Sequence, residues 1–79
     1  MDDILEDILN ELAKARNANP DFPGVHGGWA VIFEEVDELW DEIRMKPHDR
    51  SNERMRRECV QIAAMAIRFI EDCCLKEGE

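Results

Sequence analysis

The chain has 79 residues, with 19 acidic side chains against 10 basic ones and a net charge of −9. This length allows one domain at most, spanning residues 1–79, and a domain so small often needs a partner, a metal or disulfides for stability. The acidic balance excludes duplex nucleic acid as a partner, because phosphate binding requires clustered Lys and Arg. The three cysteines, Cys59, Cys73 and Cys74, show neither a disulfide framework nor a zinc-binding spacing.

Nothing in the sequence indicates secretion or insertion into a membrane. The chain starts Met1-Asp2-Asp3-Ile4, without the basic residues of a signal peptide. No apolar run approaches the roughly 18–20 residues of a membrane span. Cysteines without a disulfide spacing fit a reducing compartment. We therefore expect a soluble protein of the cytoplasm.

Helical periodicity begins near the amino terminus. Helix one is predicted from about Asp3 to Arg16, because its apolar residues recur at helical spacing. That stripe consists of Ile4, Leu5, Ile8, Leu12 and Ala15. Residues 17–28 then contain two prolines and three glycines, which predict a loop.

Two further helices follow this loop. Helix two is predicted from about Trp29 to Met45, and helix three from about Asn52 to Lys76, with Ser51 or Asp49 as its N-cap. No segment alternates as a strand does. The sequence therefore predicts an all-α fold, a bundle of three helices per chain.

Helix two has an apolar arc and an acidic flank. At about 100° per residue, one continuous arc, predicted to be the core face, holds Trp29, Ile32, Phe33, Val36, Leu39, Trp40 and Ile43. Glu35, Glu42, Glu38 and Glu34 follow in that order around one flank. Like charges at this spacing repel, and the helix has no lysine and only Arg44 near its end. Either a cation offsets the repulsion, or these acids are ordinary surface residues.

Helix three repeats the pattern of an apolar arc bordered by an acid. Around Ile62, the predicted core arc holds Met55, Cys59, Ala63, Ala66, Phe69, Ile70 and Cys73. Glu58 falls on the edge of this arc and Gln61 lies just outside it. A carboxylate at a core edge needs a cation or hydrogen-bond donors. A salt bridge to Arg54, one turn earlier, is the structural alternative to a functional role for Glu58.

The opposite side of helix three is also poor in polar residues. Val60, Ala64, Ile67 and Cys74 lie outside the main arc. A helix that is apolar nearly all round is buried on more than one side, and three helices in one small chain cannot cover it. We therefore expect a homo-oligomer, a dimer or tetramer, whose subunits pack through Val60, Ala64 and Ile67 and complete the bundle.

Two acidic motifs carry a family resemblance. Glu34-Glu35-Val36-Asp37-Glu38 forms an EExxE motif, and Glu58 opens a second motif on the next helix. This pattern resembles the all-α nucleoside triphosphate pyrophosphohydrolases of the MazG type, in which EExxE is followed by ExxD. The resemblance covers about residues 22–72 and extends to the short, phage-type members. This chain has Gln61 where the family has the final aspartate.

The resemblance implies an enzyme that cleaves a nucleoside triphosphate between the α- and β-phosphates, giving the monophosphate and pyrophosphate. It implies Mg²⁺ as cofactor, with Mn²⁺ as an alternative, because carboxylates hold such hard cations against phosphates. It makes Glu35, Glu38 and Glu58 metal ligands. Glu34 becomes a ligand or the group that positions the attacking water, so that Glu34 and Glu38 form the catalytic pair. Gln61 becomes a neutral ligand or a residue that holds a water.

Substrate contacts are less defined by the sequence. His26 and Arg68 are the candidate substrate-binding residues, while Lys14 and Arg16 are further cations that can reach phosphates. Trp29 and Trp40 lie on the apolar arc, which favours a place in the core or an interface over a base-stacking platform.

Two alternatives to an enzyme stay open. One is a MazG-like binding or regulatory module that has lost turnover, for which Gln61 is the argument. The other is a structural helical protein whose acidic flank keeps it soluble. A di-iron bundle is disfavoured because the chain has no ExxH pair.

Overall fold

The computed structural model describes residues 2–75. It contains α1 (Asp2–Ala18), α2 (Val25–Ile43) and α3 (Asn52–Phe69), followed by one π-helical turn, Ile70–Cys74. No strand occurs in this range, so the predicted all-α class is confirmed. The same residues include no helix long and apolar enough to cross a membrane. Lys76, the predicted end of helix three, lies outside the described residues.

The start of α2 differs from prediction. The helix begins at Val25 rather than Trp29, so that Gly27 and Gly28 lie in its first turn. A Cβ atom on the buried Gly28 would lie 2.6 Å from Phe69 Cδ2. Close packing of α2 on α3 therefore outweighs the weak helix propensity of glycine. Ser51 is confirmed as the N-cap of α3, since its Oγ accepts a hydrogen bond from the Arg54 amide at 3.1 Å.

Helix α3 lies between the other two helices and packs against both. Its buried residues Ala64 and Met65 form the core together with Phe22 from the loop and Cys73 from the π turn. Half-buried residues from all three helices surround this centre: Ile8, Leu12, Ala15, Val31, Ile32 and Phe69. The core is therefore built around one side of α3.

That side agrees only in part with the predicted core arc, of which Cys73 is in the core and Phe69 packs against it. Val60 and Ala64, expected between subunits, are only 9% and 0% exposed within the single chain. Conversely Cys59, Ala66 and Ile70, expected in the core, are exposed. The reason is the position of α1, which covers the side of α3 that was assigned to a partner. The prediction that Val60 and Ala64 lie in the subunit interface is therefore wrong, whereas Ile67 is half-buried within the chain.

The apolar arc of α2 is likewise only partly covered. Ile32 and Leu39 are half-buried against α3. The other large side chains of the arc remain between 39% and 58% exposed: Trp29, Phe33, Val36, Trp40 and Ile43. The chain alone therefore does not place the two tryptophans in a core.

A buried ion cluster fastens the loop between α1 and α2 to the end of the bundle. Asp72, in the π turn and 3% exposed, accepts a hydrogen bond from the Phe22 amide at 3.0 Å and lies 3.0 Å from Arg16 Nη2. Arg68, 4% exposed, donates to the Pro20 carbonyl and stacks over the Phe22 ring at 4.2 Å. Hydrogen bonds to Asp72 and to Glu71 raise the pKa of the Arg16 guanidinium above its ordinary value. Arg16 and Arg68 are thus held by contacts within the chain.

Candidate metal centre

Carboxylates from two helices meet at the edge between α2 and α3. Glu34, Glu35 and Glu38 each offer an oxygen, and these oxygens lie within 4.8 Å of one another. Glu38 is four residues after Glu34 and three after Glu35, so it neighbours both side chains on the surface of α2. Glu58 reaches them from α3 and shares a hydrogen bond with Glu38. The structure thus brings together the four glutamates that the sequence analysis selected.

Glu35 is the carboxylate whose ionisation this packing disfavours most clearly. Burial, followed by the charges of Glu38, Glu58, Glu34 and Glu11, raises its pKa to about 7. Desolvation and like charges both disfavour the anion. Near neutral pH the side chain therefore exchanges readily between its protonated and ionised forms.

Glu58, like Glu35, is half-buried at this edge. Burial raises its pKa, and so do the charge of Glu38, the hydrogen bond with Glu38 and the charge of Glu42, while Arg57 opposes them with the smallest effect. Two carboxyl groups can share a hydrogen bond only if one of them carries a proton. Within residues 2–75, the buried Oε1 of Glu58 has no hydrogen-bond partner. This oxygen is an unsatisfied acceptor beside other acids.

The alternative salt bridge between Arg54 and Glu58 is not formed. Arg54 Nε instead donates to Glu42 Oε1 of α2 at 2.8 Å. Its Nη2 donates to the Asp49 carbonyl at 2.9 Å. Arg54 therefore pairs with the fourth acid of the α2 flank and leaves Glu58 with the other glutamates.

Gln61 adjoins the cluster, as its place in the motif predicts. With its amide nitrogen turned toward Glu35, it donates a hydrogen bond to Glu35 Oε2 at 2.6 Å. This bond favours the ionised form of Glu35. Gln61 therefore contacts a predicted metal ligand directly.

A further carboxylate, Glu11 of α1, was missed by the sequence analysis. Its charge contributes to the raised pKa of Glu35. It is half-buried and lies 3.8 Å from Lys14 Nζ. The sequence alone does not distinguish Glu11 from Glu6 and Asp7, two other acids of α1. Only the packing of α1 on α3 shows which of them faces the cluster.

A groove of about 550 Å³ opens beside the carboxylates, bounded by all three helices and the loop between α1 and α2. Glu34, Glu35 and Gln61 line one part of it, and Phe22 and Val31 line another. Its lining mixes apolar with charged side chains and includes Glu35, whose pKa is raised, which makes it a candidate small-molecule site.

The predicted substrate-binding residues occupy different places around this groove. His26 is exposed in the first turn of α2 and does not line the groove. Arg68 lines it, but its guanidinium donates to the Pro20 carbonyl. Lys14 also lines it and has an exposed side chain, held 3.8 Å from Glu11. Lys14 is therefore better placed for a phosphate than Arg16, which pairs with Asp21, Glu71 and Asp72.

No protein-family model matches the chain, and neither a curated protein nor a solved structure matches it at a significant level. The resemblance to the MazG family therefore stays a prediction. The geometry of the carboxylates is the observation from which a function can be argued.

The raised pKa values predict a stability that falls as the pH rises. Between about pH 4.5 and about pH 7 the folded chain holds a proton on Glu35 that the unfolded chain has lost. Without divalent cations, the free energy of unfolding should therefore fall by about 2 kcal/mol from about pH 5 to about pH 8. Thermal unfolding followed by circular dichroism measures this. Glu35→Gln should flatten the decline and Asp37→Asn, on the solvent side of α2, should keep it; a wild type equally stable across the range would contradict the shift.

Proposed function

We propose that this chain is the subunit of a Mg²⁺-dependent nucleoside triphosphate pyrophosphohydrolase of the MazG type, acting in the cytoplasm as a homo-oligomer, a dimer or tetramer. One observation carries the proposal: the buried Oε1 of Glu58 lacks a hydrogen-bond partner within residues 2–75 and lies among acids. An uncompensated buried carboxylate is costly, and a cation relieves that cost.

The donor set fits a hard divalent cation. Glu35, Glu38 and Glu58 provide carboxylate oxygens, and Glu34 adds another at the exposed end of the cluster. Gln61 offers a neutral carbonyl oxygen if its amide turns, or its amide holds Glu35 in place. Mg²⁺, with Mn²⁺ as an alternative, would neutralise a triphosphate and lower the pKa of a bound water.

The protein side chains divide the remaining work. Glu34 and Glu38 are exposed beside the groove, where either can orient a water and take its proton. Attack of that water on the α-phosphorus breaks the anhydride between the α- and β-phosphates, and pyrophosphate leaves with the bridging oxygen. The groove lined by Phe22 and Val31 accommodates the nucleoside, and Lys14 lies at the side of the phosphates.

A panel of ribo- and deoxynucleoside triphosphates tests the proposal through pyrophosphate release with and without Mg²⁺. We expect Mg²⁺-dependent release from at least one nucleotide. Glu38→Gln should lower the rate at least ~100-fold, since it removes both a ligand and a base. Asp37→Asn, the neighbouring acid on the solvent side, is the matched control and should leave the rate unchanged.

The departure at Gln61 favours a second candidate, a binding module without turnover. Mg²⁺ should raise the melting temperature in either case, because the cation binds the folded cluster and not the unfolded chain. Such a rise without pyrophosphate release from any nucleotide would favour the binding module. If Mg²⁺ neither raises the melting temperature nor supports pyrophosphate release, a structural helical protein is the remaining candidate.

A further inference from the structure

An exposed apolar surface lies on the side of the bundle that faces away from the acids. The start of α2 packs near the end of α3 at Gly28 and Phe69, and the end of α2 meets the start of α3 at Glu42 and Arg54, so the two helices run antiparallel. On both helices, positions at about 100° per residue place the carboxylates on one side of this contact and exposed apolar residues on the other. We name these exposed residues the outer face: Trp29, Phe33, Val36, Trp40 and Ile43 of α2, with Cys59, Ala66 and Ile70 of α3.

The α2 part of the outer face has the spacing of a helix–helix seam. Its five residues follow one another at steps of four, three, four and three. This repeat of 3.5 residues keeps apolar side chains facing a neighbouring helix in a left-handed pair. Trp29 and Phe33 already contact each other, with ring centroids 5.8 Å apart. The seam is thus complete on one helix and lacks a second helix within the described chain.

The exposed area is that of an interface rather than of a monomer surface. With about 150–250 Å² for a whole aromatic side chain, the five α2 residues expose roughly 500 Å². The α3 residues extend this beyond the largest patch usual on monomers, about 300–600 Å². Burial of the outer face on two copies would remove roughly 1,200 Å² of accessible surface, the lower end of the area buried in stable interfaces. The whole chain exposes 5730 Å², against about 4,900 Å² for a compact monomer of this mass.

We infer that a second copy of this chain covers the outer face across a two-fold axis. α2 and α3 of both copies then form a four-helix bundle, with α1 outside in each. Self-association suits the charge distribution, because Glu34, Glu35 and Glu38 lie on the opposite flank of α2. Two chains of net charge −9 can therefore meet without bringing their acid clusters together. This gives the proposed homo-oligomer a defined interface and does not depend on nucleotide hydrolysis.

Two matched variants test the inference by sedimentation of the full chain. Phe33 on the outer face is 54% exposed and Leu9 on α1 is 59% exposed. Phe33→Lys should weaken the dimer at least ~30-fold while circular dichroism stays helical. Leu9→Lys should leave the dimer intact. A wild type that is monomeric at micromolar concentration, or a dimer broken by Leu9→Lys and not by Phe33→Lys, would overturn the inference.

The two tryptophans of the chain are both on the outer face and report on it directly. Dilution of the wild type through its dissociation should shift their emission to the red and should expose the Cys59 thiol to alkylation. Dissociation without either change would place the interface elsewhere and overturn the inference. These readouts need no substrate, so an active enzyme with a different interface is distinguished from an inactive dimer.

Discussion

Asp72→Asn should lower the free energy of unfolding by about 3 kcal/mol, the largest stability loss that we expect from a single isosteric change. Asp72 is 3% exposed and lies 3.0 Å from Arg16 Nη2 and 3.8 Å from Arg68 Nε. Asparagine can still accept from the Phe22 amide, but it leaves the buried Arg68 guanidinium without its adjacent negative charge. Breaking one side of a buried pair costs far more than the pair gains. The total free energy of unfolding of a domain is only about 5–15 kcal/mol.

Glu71→Gln is the matched control for this prediction. Glu71 also pairs with Arg16, at 2.6 Å, but its side chain is 47% exposed. An exposed pair contributes about 0–1 kcal/mol, so this variant should unfold close to the wild type. Urea unfolding without divalent cations measures both variants. Equal losses for Asp72→Asn and Glu71→Gln would contradict a special role for burial.

The helices could be predicted from the sequence because their signals are local. Apolar periodicity, Pro47 after helix two and the Ser51 cap lie within a few residues of what they determine. The start of α2 could not be predicted in this way. Gly28 is helical because Phe69 packs against it, and that contact joins residues far apart in the sequence. The π turn that carries Asp72 has no local signal that we recognise.

The choice of buried face could not be predicted because α3 is apolar nearly all round. Periodicity identifies an apolar arc but not what covers it. Leu12 and Ala15 of α1 pack on the core around Ala64, a side that the sequence analysis assigned to a partner. Phe33 and Trp40 on α2 were assigned to the core and remain exposed. The prediction of apolar faces was therefore better than the prediction of their partners.

The candidate site divides in the same way between local and distant signals. Glu34, Glu35 and Glu38 converge because Glu38 lies one helical turn after both of the others, which a sequence shows directly. The sequence does not show whether Arg54 pairs with Glu58 or with another acid. In the structure Arg54 pairs with Glu42, which leaves Glu58 in the cluster. The position of Glu11 near Glu35 could not be predicted either, because it depends on how α1 packs. The metal-binding roles of Glu34, Glu35, Glu38 and Glu58 stay predictions.

Gln61→Asp should produce the largest change in function, an increase in Mg²⁺-dependent pyrophosphate release of at least ~10-fold, or its appearance from nothing. The change restores the aspartate of the motif and adds a negative charge beside Glu35. Without metal it should cost about 1–2 kcal/mol, because it replaces a donor 2.6 Å from Glu35 Oε2 by a like charge. With Mg²⁺ the same charge should tighten cation binding.

The two effects of Gln61→Asp have opposite signs, so their difference should appear as a larger Mg²⁺-induced rise in melting temperature than in the wild type. Gln61→Asn is the matched control, since it has the size of aspartate without the charge. It should lose the contact with Glu35 and gain neither activity nor a larger rise. If Gln61 lies outside the site, neither variant should change the activity or the Mg²⁺-induced rise in melting temperature. If the wild type is active and Gln61→Asp loses that activity, the amide itself is required, because an ionised aspartate cannot donate the hydrogen bond that Gln61 gives to Glu35.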